Sequence, residues 1–481
     1  MSITHSLSNA LSGLTASARM AEVVSSNVAN ALTDGYGRRS VDLTSAVVGG
    51  RGAGVEIGGI TRHVDRGIIA DRRLADADLA ASSTLVSTLS SLQDIVGQVG
   101  VEGSISSRIT SVEAALVDAA SDSSSEVRLT ALANRLSELT DGLNTASGNI
   151  QRERERADAS IASQVETLNA SLEQLEQLNG DISYSINTGG DPSPLLDARQ
   201  NVIDTISEIV PVRELQRENG RVALMTPEGQ MLIDGRAKSF GFVENVVITP
   251  DMTLASGGLS GLTLDGSALE PDGIGRMAGG SLGASFAARD DVLVSAQAGL
   301  DDLAADLISR FQDNGLDGTI APGGAGVLTD RGAAFLPANT TGLAGRISLN
   351  IAVDPNRGGA VTNLRDGVNA TAPGPAGNST LLRAMSDALS DPRASTLDPV
   401  TRGAAERAGE FEAGLGSQRL TFEAELGFQT ARWSSLKEAE AADGVDTDYE
   451  MQMLLRIEQA YAANARVIQT VNSLMQRLME I

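Results

Sequence analysis

Two stripes of apolar and small residues bracket the chain. Near the start, Ile3, Leu7, Ala10, Leu14, Ser17, Ala21, Val24 and Val28 recur at alternating steps of four and three, with Leu11 beside them. That spacing lines one face of a helix and matches a coiled-coil seam. Near the end, Leu454, Ile457, Tyr461, Asn464, Ile468, Val471, Met475 and Leu478 keep the same rhythm. The pattern predicts two terminal helices that want partner helices along these residues. Up to Thr33 the first helix carries only Arg19 and Glu22 as charges. It should stop near Leu32, where Gly35, Tyr36 and Gly37 form a turn that bends the chain out of the terminal helix.

Between the stripes the period changes several times. Arg39 to Asp71 alternates in short runs (Val41, Leu43, Val55, Ile57, Ile60) and predicts a small sheet. Helical spacing follows in Leu74, Ala81, Leu85, Leu92, Ile95 and Val99. It returns in Leu129, Leu132, Leu136, Leu139, Leu143, Ala146 and Ile150, then in Ile161, Val165, Leu168, Leu172, Leu175 and Ile182. The run from Gln151 to Arg156, QRERER, separates the last two stripes and is expected to be exposed. If Leu129 to Ile182 is one helix it spans about 80 Å, a rod. Ser193 as cap, Pro194 in the first turn and Pro211 as stop delimit the next helix, with Leu196, Val202, Ile206 and Ile209 inside. Arg221 to Thr226 and Gln230 to Ile233 flank Pro227-Glu228-Gly229 as a β-hairpin.

The rest alternates between loop and helix. Ala255 to Ser281 is loop or short strand, and Leu282 to Phe311 is helical. Residues 315–377 are Gly/Pro/Asn/Thr-rich, with Ile347 to Val353 as their one clear strand, and are expected to be the most mobile interior part. Leu381 to Leu389 and Arg402 to Ala442 are helical again. The fold expected is mainly α with smaller β parts, elongated and multidomain. Residues 1–33 and 448–481 form a terminal helical domain, 34–314 and 378–447 an inner rod domain with hairpins, and 315–377 a reduced outer insertion.

Composition narrows the function. A chain of 481 residues exceeds one ordinary core. Its few aromatics suit helix packing better than an aromatic-lined pocket. A net charge of −25 argues against nucleic-acid and anionic-membrane partners. Cysteine is absent, which removes disulfides, thiol catalysis and cysteine metal sites. The opening MSITHSLSNALSGL has no basic head before an apolar run, so no Sec-type signal is read there. Nor does any stretch supply the roughly 20 apolar residues of a membrane span.

Candidate chemistry is sparse. Ser434 and Lys437 match S-x-x-K, but no companion motif accompanies them on a long polar helix. Arg51-Gly52-Ala53-Gly54 lacks the third glycine and the context of a dinucleotide loop, and reads as a turn. His5 and His63 lie on different elements without carboxylate clusters. Asp313 to Gly318 lacks the ligand order of an EF-hand and reads as a helix-ending loop. No catalytic residue, metal or cofactor is expected. Asn464 sits where an apolar residue would stabilise more; it either fixes register between helices or turns toward solvent.

Two terminal segments carry a resemblance. SNVANALTDGYGRR (Ser26 to Arg39) resembles the N-terminal signature of the flagellar axial proteins. Asp448 to Ile481 resembles their C-terminal signature, most specifically at Ala460-Tyr461 and Asn464 to Ile468. The body segments Pro194 to Val212 and Gly279 to Leu293 look like those of the hook-associated protein 1 family. This resemblance implies a structural, non-enzymatic protein that self-assembles as a ring of copies between hook protein and hook-associated protein 3. It also implies export by the flagellar type III apparatus with an export chaperone on the C-terminal helix. Another axial protein of hook or rod type, and a type III-secreted coiled-coil effector or translocator, stay open as alternatives. The ends are expected either to order only on assembly or to pair within one chain.

Overall fold

A computed structural model describes residues 3–48 and 51–479; the outermost residues of the expected terminal domain lie outside that range. In chain order the elements are α1 (Ile3–Ala29), β1 (Arg38–Val48), β2 (Arg51–His63), α2 (Arg66–Val96), α3 (Ile105–Ser121), α4 (Glu126–Asn187) and α5 (Ser193–Ile209). Next come β3 (Arg213–Gln216), β4 (Val222–Met225), β5 (Met231–Asp234), β6 (Arg236–Ala237), β7 (Phe240–Gly241), β8 (Thr263–Leu264) and β9 (Ser267–Ala268). The chain continues with α6 (Gly280–Ala287), α7 (Leu293–Phe311), β10 (Leu328–Asp330), β11 (Ile347–Leu349), α8 (Asn363–Asp366), α9 (Thr380–Ser390), α10 (Ala404–Ala442) and α11 (Thr447–Met479). The expectation of mainly α structure with small antiparallel sheets is met.

The chain divides into two compact units. The first gathers residues 1–80, 166–240 and 428–481; the second gathers 81–165 and 241–427. Helices α2, α4 and α10 contribute residues to both.

In the first unit, β1 and β2 pair antiparallel with register shifts after Asp42 and Ser45. Strands β3 to β6 form a four-stranded meander around the predicted Pro227-Glu228-Gly229 turn. Val222, Ala223, Leu224, Leu232 and Ile233 of that sheet are buried, as are Leu168, Leu172, Leu175 and Ile182 of α4 and Ile203 and Ile206 of α5. A recurring device joins helix to strand. Asn179 donates to the Val222 carbonyl at 2.9 Å and accepts from its N–H at 3.1 Å. Asn169 does the same with Phe240, at 2.7 and 2.9 Å. Each amide replaces a neighbouring strand, so the buried backbone groups stay satisfied.

The second unit has a larger core. Ile109, Val112 and Leu116 of α3, Leu129 to Ile150 of α4, Leu300, Leu307 and Phe311 of α7, and Leu382 and Met385 of α9 form one cluster of buried residues. Leu328, Leu343, Ile347, Leu349, Val353 and Leu364 belong to it too. Residues 315–377 are therefore packed into the core of this unit, which the composition of that segment had hidden. Its strand is only Ile347–Leu349, and it pairs with β10, which carries no visible pattern of its own.

Four local expectations are corrected. Arg66 to Asp71 is the first turn and a half of α2, not extended chain: Asp65 Oδ1 accepts from the N–H of Gly67 and Ile68 and starts the helix. Ser193 is the first residue of α5 rather than its cap, and Asp191 Oδ1 accepts its N–H at 2.9 Å. Helix α4 is longer than expected, at 62 residues, about 93 Å at 1.5 Å per residue. Finally, QRERER is not wholly exposed.

That last correction has a clear cause. The seam of α4 passes through Arg154 and Asp158, and both are buried. Arg154 donates to the carbonyls of Arg289, Thr249 and Met252. Asp158 accepts from Arg289 Nη1 at 2.5 Å and from Asn245 N at 2.6 Å. Arg289 sits in a π-helical turn, Ala288–Val292, between α6 and α7. Its guanidinium also meets Asp290 and lies over the rings of Phe242 and Phe286. The gap in the apolar stripe is filled by charges that are fully partnered.

Candidate functional site

Helix α1 packs along α11 and along the β1–β2 hairpin. Having two neighbours explains why burial on α1 runs along two stripes, Ala10, Ser17 and Val24 beside Ala16 and Val23. Of the interface residues read from the sequence, Val24, Ile457 and Val471 are buried. Ile3, Leu7, Leu14, Ala21, Val28, Leu454, Asn464 and Ile468 are half-buried. Leu11, Tyr461, Met475 and Leu478 face outward, at 57%, 44%, 45% and 61% exposure. Leu455 and Leu474 are exposed beside them.

Small residues set the spacing of this pair. A Cβ placed on Gly13 would lie 2.7 Å from Asn464 Nδ2, so the Asn464 amide rests on bare backbone. Asn464 thus occupies the seam. Ser17, also buried, returns its hydroxyl to the Gly13 carbonyl at 2.9 Å. On the hairpin side, Ser12 Oγ accepts from Val55 N at 3.2 Å. Gly54 there has a φ of +97° and no room for a side chain against Ser12.

The turn after α1 is held from several directions. Gly35 has a φ of +76°, and a Cβ there would lie 1.9 Å from Asn201 Oδ1. A Cβ on Gly37 would meet Arg62 Nε at 2.5 Å. Both positions need glycine, for a left-handed backbone in one case and for close approach in the other. Between them Tyr36 donates from Oη to Asn27 Oδ1 at 2.9 Å, and the Arg39 guanidinium lies over its ring. Asn27 is fully buried and pairs with both backbone groups of Arg39, the third use of the asparagine device.

An arginine–carboxylate network anchors this turn, and the periodicity gave no hint of it. Asp197 of α5 accepts from Gly37 N at 3.1 Å, from Arg62 Nε at 2.6 Å and from Arg39. Arg62 also reaches Gln200 Oε1 at 2.6 Å and the Gly35 carbonyl at 3.0 Å. Arg72 bridges Asp76, Asp204 and Glu440, and Arg73 bridges Asp204 and Glu214. The indole of Trp433 donates to Asp76 at 2.6 Å. Burial opposes the Arg72 charge, yet Asp204, Asp76 and Glu440 together raise its pKa above the ordinary value. Burial pushes Asp76 upward, only partly offset by Arg72, because three acids share that one guanidinium. The sequence signals were the arginines at 39, 62, 72 and 73; only Arg72–Asp76 sits at the local i,i+4 spacing, and no local rule matches the others to acids more than a hundred positions away.

The set-aside chemistry finds structural roles. Ser434 is exposed, while Lys437 lies over the Trp433 ring and near Asp34. His63 hydrogen-bonds Ser40 Oγ at 2.7 Å. Asp313 accepts from Gly315 N, and Asp317 from the N–H of Thr319 and Val368. Among the described residues no cluster of three or more His, Cys, Asp or Glu could hold a metal.

Comparison with known families separates the ends from the interior. Residues 7–36 match the flagella basal body rod protein model, and 441–481 match the flagellar basal body rod FlgEFG protein C-terminal model. Residues 89–326 match the flagellar hook-associated protein FlgK helical domain. Flagellar hook-associated protein 1 of Escherichia coli aligns with 99% of this chain and 99% of its own length at 23% identity. The chain belongs to the flagellar hook-associated protein 1 family. The interior match decides this, since the rod-type models reach only the ends. Hook-associated protein 1 of Salmonella typhimurium is 26% identical over 48% of this chain, and the match spans 42% of that relative's length. The Bacillus subtilis protein is 25% identical over 49% of this chain and 50% of its own. The solved flagellar hook junction protein FlgK from Burkholderia pseudomallei has a TM-score of 0.45 and 22% identity, covering 54% of this chain and 46% of that one.

Proposed function

We propose that this chain is a structural protein of the bacterial flagellum that forms the junction between hook and filament. Copies assemble as a ring through α1 and α11, in the extracellular hook–filament region. One observation carries the reading: α11 buries Ile457 and Val471 within the chain but leaves Tyr461, Leu474, Met475 and Leu478 outward. An apolar face of this kind is what sister helices cover in an assembly. The anchor below Gly35 to Gly37 fixes the direction in which the chain leaves that layer. Hook protein on one side and hook-associated protein 3 on the other are the neighbours this reading assigns. Export is assigned to the flagellar type III apparatus, with a chaperone that shields the C-terminal helix beforehand.

Deleting residues 448–481 tests it. Electron microscopy of cells carrying only the truncated protein is expected to show hooks without filaments. Filaments of normal number and length would reject the assignment.

A further inference from the structure

A cavity of about 610 Å³ opens in the first unit between the start of α2, α5 and β3, within the ~300–1,000 Å³ range of ligand sites. Its floor is apolar, from Ile69, Leu74 and Val212, and its polar groups are mainly guanidiniums. Arg199, almost fully buried, donates only to neutral oxygens, the Gly220 carbonyl at 2.6 Å and Asn179 Oδ1 at 3.3 Å. Burial, opposed by Glu214 and reinforced by Arg62, Arg66 and Arg73, lowers its pKa to about 10, which leaves it charged at neutral pH. Arg66 and Arg213 line the same cavity, are exposed, and form no ion pair among the described residues. With five guanidiniums against the carboxylates of Asp71 and Glu214, the lining keeps an excess of positive charge above an apolar floor, in a chain of net charge −25.

The second unit presents the complementary chemistry. Between β7 and β8 the chain runs Val243-Glu244-Asn245-Val246-Val247, with the three valines 69%, 83% and 66% exposed and Glu244 exposed among them. The segment is not slack. Asn245 N donates to Asp158 at 2.6 Å and Ile248 N to Glu155 at 3.1 Å, so the segment is pinned at its middle and at its C-terminal end. A rigid, uncovered apolar loop bearing one carboxylate is a pre-organised ligand for a cationic, apolar-floored cavity.

We propose that the arginine-lined cavity of one copy receives the Val243–Val247 loop of a second copy, with Glu244 meeting the guanidiniums and the valines covering the floor. This rests on the self-assembling reading above and gives it a contact outside the terminal helices. Such a contact is heterologous, so it propagates from copy to copy as a ring requires.

The test uses the full chain and a labelled peptide of residues 242–248, followed by fluorescence anisotropy. Saturable binding is expected, weakened at least tenfold by Glu244→Lys in the peptide, by Arg66→Glu with Arg213→Glu in the protein, and by raised salt. The Lys peptide should regain affinity for the Glu variant. The peptide arm needs no altered protein, so misfolding of the double variant cannot mask the answer. Absence of saturable binding up to millimolar protein overturns the proposal, as does binding indifferent to these reversals. Equal binding of a peptide spanning 98–103, which carries exposed Val99 and Val101 beside Glu102, overturns the choice of loop. If the peptide fails while deletion of 448–481 still strips the filaments, only this inference falls.

Discussion

Helices α4 and α11 carry equally regular stripes and use them differently. Over its first half α4 buries Leu129, Leu132, Leu136, Leu139, Leu143 and Ile150 almost completely, against α3, α7, α9 and the segment 315–377. Helix α11 buries Ile457, Val471 and Glu450 and leaves its later apolar residues outward. Periodicity therefore reports that a face wants cover, not whether the same chain supplies it. In α4 the cover is intramolecular and contributes to stability. In α11 it is incomplete, and the remainder faces outward.

The contrast is sharpest where α4 breaks its own pattern. Arg289→Ala is expected to destabilise the chain by about 3–5 kcal/mol, because it leaves Asp158 as an uncompensated buried charge; urea unfolding reads this directly. A loss below about 1 kcal/mol would mean the network contributes little. Next in size, Leu139→Ala should cost about 2–5 kcal/mol. Leu478→Ala should stay within about 0.5 kcal/mol for the isolated chain yet impair assembly into the flagellum. Hydrogen exchange extends the same comparison, with amides near Leu139 expected to exchange far more slowly than those near Leu474. Equal protection of the two helices would erase the distinction drawn here.

The α1–α11 seam can be probed from its narrowest point. Gly13→Leu forces Asn464 aside and should cost about 1–3 kcal/mol, with loss of helix pairing at the chain ends. Gly13→Ala is expected to be milder, since the atom it meets is the far end of a flexible side chain. If Gly13→Leu unfolds no more easily than the parent, the two helices do not depend on close approach.

How much of this was legible follows from the range of each interaction. The stripes from Leu129 to Ile182 and from Leu454 to Leu478 repeat locally, so helix type could be read for both and the inward face for the first. Residues 315–377 have no period; their burial comes from scattered single side chains such as Leu343 and Val353 docking on distant helices. Arg154 was misread as solvated because charge predicts exposure unless partners are known, and its partners lie about 95 to 135 positions away. Of the site, the apolar stripes of α1 and α11 and the glycine turn were legible as patterns. The anchor was not, because Asp197 and Asp204 occupy positions of α5 that look like any polar helix face.

The anchor also offers the subtlest measurement. Trp433 is the one tryptophan of the chain, and its indole donates to Asp76, so its fluorescence reports on that carboxyl. Burial raises the Asp76 pKa above the ordinary 3.8, with Arg72 pulling the other way. Between 3.8 and the raised value the folded chain holds a proton that the unfolded chain has lost. The contribution of Asp76 to stability is therefore greatest below that window and declines as pH rises through it. Trp433 emission should titrate with a midpoint above 3.8, and Asp76→Asn should remove the transition while keeping an oxygen for the indole. Glu208, raised by its own burial and then by Asp76 and Asp204, should shift back toward its usual range in the same variant. A transition that survives Asp76→Asn would place the titrating group elsewhere, and Arg72 would then be holding Asp76 ionised more firmly than its burial implies.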